Sequence, residues 1–350
     1  MKLSQFKFQL PHEQIAQHPA DQRDESRMLV LHRKSGELEH KSFKDLLSYF
    51  SANDVFVLND TKVFPARLYG NKERTGAVIE VFLLRELNAE LRLWDVLVEP
   101  ARKIRIGNKL YFGEDDSLVG EVIDNTTSRG RTLRFLYDGP HEEFLKTVRS
   151  LGEAPIPDYL ERKSELRDLE DFQTVYARHE GGVTAPAAGL HFTRQTLMRM
   201  ELADIRPAYL TLHCGLGNFR DTDVEDLFKH KIDSEQLIVD ETCCQTVNRA
   251  KEGGHRVVAV GTTVQRGLES VAGPDFRIKP YDGWTNRFIF PPYDFKIATD
   301  MLVNFHQPYS TLLMLTTAFG GYEPTMRAYD AALKEGYRFG CYGDCMLITD

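Results

Sequence analysis

The sequence predicts an α/β protein that carries an antiparallel β domain inserted near its N-terminus. Two observations carry that expectation. Residues 150–350 alternate helix-like and strand-like segments, the pattern of an α/β domain. Residues 67–140 instead hold short apolar runs separated by turn residues, roughly ten to fifteen residues apart, as in a sandwich or small barrel. The α/β domain is therefore placed over 1–66 and 150–350, and the insert over 67–149.

The elements follow in order. SRMLVLHRKSGELEHKSF reads as two short strands around a Ser-Gly turn, and FKDLLSYFS as a short helix. DVFVLNDTKVF is an apolar strand that stops at Asn59-Asp60-Thr61-Lys62. GAVIEVFLLREL, LRLWDVLVEP, NKLYFG, LVGEVID and RTLRFLYDG are the strands of the insert, and HEEFLKTVRSLG is a helix leading back. RQTLMRMEL, DLFKHKI and ETCCQTVNRAKEGG read as helices, the last stopping at Gly253-Gly254. PAYLTLHCG, HRVVAVGTT and NRFIFPPYDF read as strands. VNFHQPYSTLLMLTTAFGG is a polar turn followed by a helix that Ser310 or Thr311 caps. GYRFGCYGDCMLI ends in a buried strand with a paired Asp344, or else sets that carboxylate in a ligand cleft.

Composition narrows the function. A net charge of -8 argues against coating nucleic acid or anionic membrane by bulk charge, though a local basic cluster survives that argument. ARKIRIGNKL supplies Arg102, Lys103, Arg105 and Lys109, and FKHKI supplies Lys229 and Lys231. The apolar runs are far shorter than the roughly 18 residues of a membrane span. MKLSQFKFQLPHEQ has no apolar core, so no secretory signal is expected. The five cysteines form no C-x-x-C pair. A zinc site is not expected, and reduced thiols in a cytoplasm are. Cys345 reads as a buried small hydrophobe before it reads as a nucleophile.

Several strands end in polar or glycine clusters. VFVL ends in Asn59-Asp60-Thr61-Lys62, AYLTL in His213-Cys214-Gly215-Leu216-Gly217, VVAV in Gly261-Thr262-Thr263, and FIF in Pro291-Pro292-Tyr293. Carboxyl ends of strands form the ligand face of α/β folds, so four such clusters together mark a site. HCGLGNF lacks the third glycine of a dinucleotide fingerprint, and no P-loop occurs anywhere. GGVTAPAAGLHFT poses a separate question. Its small side chains suit neither a packed strand nor a solvated loop, and they let a backbone approach something closely.

NDTKVFPARL, VTAPAAGLHFT, LHCGLGNFR, KHKIDSEQ, AVGTT, GWTNRFIFPPYDF, NFHQPYSTLLML and YRFGCYGDCMLI, in that order, resemble the S-adenosylmethionine:tRNA ribosyltransferase-isomerases of queuosine biosynthesis. The resemblance spans essentially the whole chain. Departures fall at Ala187, Cys214, Gln307, Tyr309 and Cys345. It implies a barrel-like α/β catalytic domain with an inserted antiparallel β-barrel domain. It also implies two substrates, S-adenosylmethionine as ribosyl donor and tRNA with a GUN-type anticodon carrying 7-aminomethyl-7-deazaguanine. The product is epoxyqueuosine in tRNA, with adenine and methionine released. No cofactor beyond that co-substrate, no metal and no membrane partner are expected.

The chemistry demands a base for the carbon beside the sulfonium and a proton donor for adenine. His191, His213, Asp60 and Asp300 are the expected groups, with Asp344 and Glu235 behind them. Substrate binding is expected from Thr61, Lys62, Arg67, Ala185, Pro186, Gly189, Gly215, Gly217, Thr262, Thr263, Asn304, His306, Ser310 and Asp344. TAPAAGL would bring backbone amides to the adenosyl group beside His191. Arg67, Arg102, Lys103 and Arg105 are the expected phosphate contacts. Two competing readings are an S-adenosylmethionine-dependent RNA methyltransferase and a non-catalytic RNA-binding relative.

Overall fold

The computed structural model describes residues 1–215, 222 and 224–350. The chain divides into two compact units. One comprises residues 1–62, 173–179 and 185–350, the other residues 63–172 and 180–184.

The first unit is built on a nine-stranded sheet. Its order is Tyr281–Thr285, Glu235–Val239, Arg206–Leu212, Val55–Asn59, Val257–Val260, Asp300–Asn304, Cys345–Thr349, Arg27–His32 and Glu37–Ser42. The four strands from Arg206–Leu212 to Asp300–Asn304 are mutually parallel, and Cys345–Thr349 runs against them. Val55–Asn59, Val257–Val260 and Asp300–Asn304 are buried at every position, as strands covered on both faces must be. Successive side chains then feed two cores. Val55, Val57, Ala259, Met301 and Val303 join one core with Val264, Leu268, Leu313 and Tyr329 from helices Thr262–Val271, Thr311–Gly320 and Tyr322–Lys334. Phe56, Leu58, Val258, Val260 and Leu302 join the other with Phe43, Phe192 and Met200.

Three elements differ from the sequence expectation. NRFIFPPYDF forms no strand; the end strand is Tyr281–Thr285 just before it. Pro291 and Pro292 cannot donate to a ladder, and Ile289 is buried in a core instead. DLFKHKI supplies only the single turn Leu227–Lys229, capped by Asp226. Asp300–Asn304 is a central strand that the sequence does not announce, because its short DMLVN run opens and closes on polar residues.

The second unit is the expected antiparallel β-barrel. It is closed by six strands in the order Gly130–Leu136, Leu93–Glu99, Val78–Asn88, Arg67–Lys72, Lys109–Phe112 and Leu118–Asn125. Leu68, Val81, Val96, Leu110 and Phe135 fill its interior. Gly70 is required where two strands close, since a Cβ there would sit 2.2 Å from the Tyr111 carbonyl oxygen. The sequence ended this insert at 149; the compact unit runs on to Phe172. Glu153 explains part of that, because its backbone bonds both ways with Arg67, at 2.9 and 3.3 Å.

Arg131 is buried inside this unit at 6% exposure. It donates to the carbonyls of Ala101 at 2.7 Å, Ile104 at 3.0 Å and Gly130 at 2.8 Å, which pins the turn carrying Arg102 and Lys103. Arg131→Ala is expected to lower unfolding stability by about 2–4 kcal/mol, because buried carbonyls lose their donors. Arg131→Lys should recover little of it, since an ammonium lacks the planar fork. Urea unfolding of the three proteins checks both.

Candidate functional site

The four parallel strands end along one edge of the sheet, where α/β folds bind ligands. Asn59 closes its strand and is fully buried. Its amide donates to Leu212 O at 3.0 Å and Thr263 Oγ1 at 3.3 Å. Its Oδ1 accepts from the backbone N–H of Leu212 at 3.0 Å and of Thr61 at 3.2 Å. One side chain thus ties two strand ends to the start of the helix Thr262–Val271.

Asp60 follows, buried at 3% exposure. Thr211 donates to its Oδ1 at 2.6 Å, and His179 Nε2 lies 3.7 Å from Oδ2. Desolvation raises its pKa above the ordinary carboxylate value, against the pull of Thr211 and His179. His213 Nδ1 lies 2.8 Å from Thr61 Oγ1. Burial, with nearby His179, pushes its pKa down to about 4, so its imidazole is neutral at pH 7. In the tautomer that donates Nδ1–H to Thr61, Nε2 offers a lone pair.

Asn304 ends its strand in the same direction. Its Nδ2 donates to the carbonyls of Gly340 at 3.0 Å and Cys341 at 3.2 Å, which leaves Oδ1 to accept from His191 Nε2 at 3.0 Å. That assigns the Nε2 proton of His191. The ring is buried at 4% exposure, 5.4 Å from Phe43, and burial lowers its pKa. His191 is therefore a held, neutral donor in the wall of the edge. Asp344 lies at this edge too, accepting from the backbone N–H of Arg27 at 3.0 Å and of Arg338 at 2.8 Å. This is the paired, buried carboxylate of the simpler sequence reading.

The small-residue loop is now explained. Ala185, Pro186, Ala188 and Gly189 are all buried. A Cβ on Gly189 would meet the Tyr176 hydroxyl at 2.0 Å and Thr174 at 3.0 Å. A Cβ on Gly261 would meet that of Ala188 at 3.8 Å. What comes close to this backbone is the protein's own Tyr176.

Gly215 N–H donates to Glu235 Oε1 at 2.6 Å, and Glu235 pairs with Arg266. Arg266 lines a pocket with Thr262, Thr263, Arg287, Phe288 and Thr311. Ser310 caps the helix behind it through Leu313 N–H at 3.2 Å. His306 donates its backbone N–H to Tyr329 at 3.0 Å, and burial drives its ring pKa down to about 3.

Some expected residues stand elsewhere. Asp300 is at the amino end of its strand, about 13 Å of chain from Asn304. It is fully buried and bonded to Arg256, Thr299 and Thr349, so a structural ion pair replaces the catalytic role expected for it. Arg67 belongs to the barrel unit, paired with Glu80 and Asp158. Lys62 is exposed, as are Arg102, Lys103 and Arg105. Gly217 lies outside the described residues. The sequence reading missed Asn59, Tyr176, His179 and Arg266 as members of this edge. Only Asn59 stood in a recognised cluster; no spacing marks the other three.

All five cysteines are buried thiols, and desolvation holds that of Cys345 well above its ordinary pKa. Among the described residues no group of His, Cys, Asp and Glu is arranged to hold a metal ion, and no helix is long and apolar enough to cross a membrane.

The lowered histidines set an acid limit. The unfolded chain takes up protons near 6.5, whereas folded His213 and His306 resist to about 4 and about 3. The unfolded state binds more protons between those values, so stability falls as pH drops from 6.5 toward 4. Urea unfolding at pH 7, 5.5 and 4.5 should show a progressive loss of about 2 kcal/mol or more. His213→Gln should flatten part of that slope.

The chain matches the family described as queuosine biosynthesis protein over residues 3–348. It is 68% identical to the S-adenosylmethionine:tRNA ribosyltransferase-isomerase of Bacteroides fragilis and 65% identical to that of Phocaeicola vulgatus, covering 100% of each chain in both cases. Among solved structures it is similar to the S-adenosylmethionine tRNA ribosyltransferase of Thermotoga maritima. The TM-score there is 0.56 at 33% identity, over 98% of this chain and 99% of that one.

Proposed function

The chain belongs to the queuosine biosynthesis protein family, and we propose that it works as an S-adenosylmethionine:tRNA ribosyltransferase-isomerase. It transfers the ribosyl part of S-adenosylmethionine to 7-aminomethyl-7-deazaguanine at the wobble position of tRNA and isomerises it, giving epoxyqueuosine. Adenine and methionine leave. The observation that carries the reading is the full-length match to enzymes of that name.

The edge of the parallel strands supports the assignment of roles. A base must remove a proton from the carbon beside the sulfonium, and a donor must protonate the departing adenine. His213, neutral at pH 7 with Nδ1 anchored on Thr61, takes the base role. Asp60, held toward its protonated form by desolvation, takes the donor role. His191 and Asn304 act as a fixed hydrogen-bonded wall. The pocket at Thr262, Thr263 and Arg266 takes part of S-adenosylmethionine. A GUN-type anticodon is the substrate context, since 7-aminomethyl-7-deazaguanine occupies its first position. The exposed Arg102, Lys103 and Arg105 contact phosphates.

Purified protein mixed with S-adenosylmethionine and tRNA bearing the aminomethyl base should release adenine and methionine and leave a ribosyl-sized mass gain on the tRNA. S-adenosylhomocysteine among the products would favour the methyltransferase reading instead. His213→Asn and Asp60→Asn should each lower kcat by about 10²–10⁴-fold while S-adenosylmethionine binding changes little. Single-turnover assays beside calorimetry separate the two effects.

The basic turn has its own test. Replacing Arg102, Lys103 and Arg105 with Glu should weaken tRNA binding and flatten the plot of log K against log salt by about 2 or more. An unchanged slope counts against the placement.

A further inference from the structure

The segment KHKI left two lysines without a role, and the structure gives them a setting. Phe228 is 72% exposed, an unusual position for a ring that size. It stacks edge-on against Phe290 at 5.0 Å, Phe290 lies 4.9 Å from Phe288, and His230 meets Phe288 at 5.0 Å. Four aromatic rings from two separate segments therefore form one continuous cluster, in which Phe288 and Phe290 are half-buried with their inner sides against the core and Phe228 stands out from it. Lys229, Lys231 and Arg287 are exposed and alternate with those rings along the chain. The neighbouring acids are exposed but engaged: Asp226 caps Phe228 N–H at 3.2 Å, and Glu225 accepts from the Ser4 hydroxyl. The surface is also continuous with the substrate pocket, since Arg287 and Phe288 line it together with Thr262 and Thr263.

Aromatic faces alternating with cations are the physical requirement for holding single-stranded nucleic acid. Each base has a π-face to stack, and each phosphate a charge to neutralise. We propose that Phe228, His230, Phe288 and Phe290, with Lys229, Lys231 and Arg287, form a stacking platform for unpaired anticodon-loop bases beside the target nucleotide. The proposal rests on the RNA-modifying reading above and adds where the loop is gripped. RNA loops are read by splaying bases onto aromatic side chains in this way. The acidic chain thereby concentrates its RNA affinity in a local patch.

Equilibrium binding of an anticodon stem-loop RNA to the full chain tests it. Phe228 is so exposed that truncating it leaves the core intact. Phe228→Trp keeps a π-face and should bind within about twofold of wild type. Phe228→Leu keeps an apolar side chain but no ring, and with Phe228→Ala should bind about tenfold or more weakly. Neither change alters the salt slope, whereas Lys229→Gln and Lys231→Gln should each reduce it by about 0.7–0.9. Wild-type affinity in Phe228→Ala, or equal binding by the Leu and Trp variants, overturns the platform. Adenine release by the wild type from S-adenosylmethionine and full-length tRNA is scored separately. A wild type that releases adenine but shows no Phe228 effect overturns the platform alone. A wild type that neither binds the stem-loop nor releases adenine overturns the enzymatic reading as well.

Discussion

The buried amide of Asn59 is the contact on which the site depends. It uses both donors and accepts twice, and every partner belongs to a different local task. Leu212 is the end of the neighbouring strand, Thr263 the start of a helix, and Thr61 the hydroxyl that anchors His213. An uncharged side chain suits this position, because an unpaired charge at zero exposure is costly. An amide also offers both donors and acceptors, which a carboxylate does not. With the strand ends fixed relative to one another, Asp60 and His213 are fixed as well, and neither needs a loop to place it.

The two ends of the parallel strands show how like residues take unlike work. At the amino ends Asp300 meets Arg256, and two threonines satisfy the rest of its oxygens. That carboxylate is saturated, so it offers nothing to a substrate. At the carboxyl ends Asp60 has one firm partner in Thr211 and a distant one in His179. Its second oxygen is left weakly engaged, and desolvation favours the proton it needs as a donor. The histidines of that edge are likewise kept neutral by burial rather than charged by a carboxylate. Neutral rings there add no positive charge of their own beside the arginines Arg178 and Arg266 that already stand near this edge.

The class of fold and the inserted barrel were legible because period and spacing are local properties. VFVL, VVAV and AYLTL announced buried strands, and their polar endings announced the edge. Asp300–Asn304 was hidden because its polar ends belong to two different networks that only the sheet brings into view. The strand expected in NRFIFPPYDF failed for the opposite reason. Its aromatics looked like a pleated face, but they serve a surface cluster and its prolines forbid a ladder. Asp300 and Asp60 look alike in sequence and both are buried, so no local rule could sort the acid at the amino ends from the one at the carboxyl ends. Tyr176, His179 and Arg266 enter through contacts with residues 13 to 119 positions away, which spacing cannot report.

The loop VTAPAAGLH shows what a run of small side chains can signal. Small side chains did mean a close approach, and within the protein the partner is Tyr176. The Tyr176 hydroxyl, set against Gly189, and the Thr174 hydroxyl are both buried without a hydrogen-bond partner among the described residues. Such groups carry a desolvation cost of about 1–3 kcal/mol each. A loop that served only to fill space would do better with Phe and Val at those positions. Polar atoms kept at that cost stand beside Asp60's edge, with Gly189 setting how closely the loop and Tyr176 meet. Its rigidity follows from the same contacts: Ala188 lies against Gly261 and His191 is bolted to Asn304, so the loop is gripped at both ends of its turn.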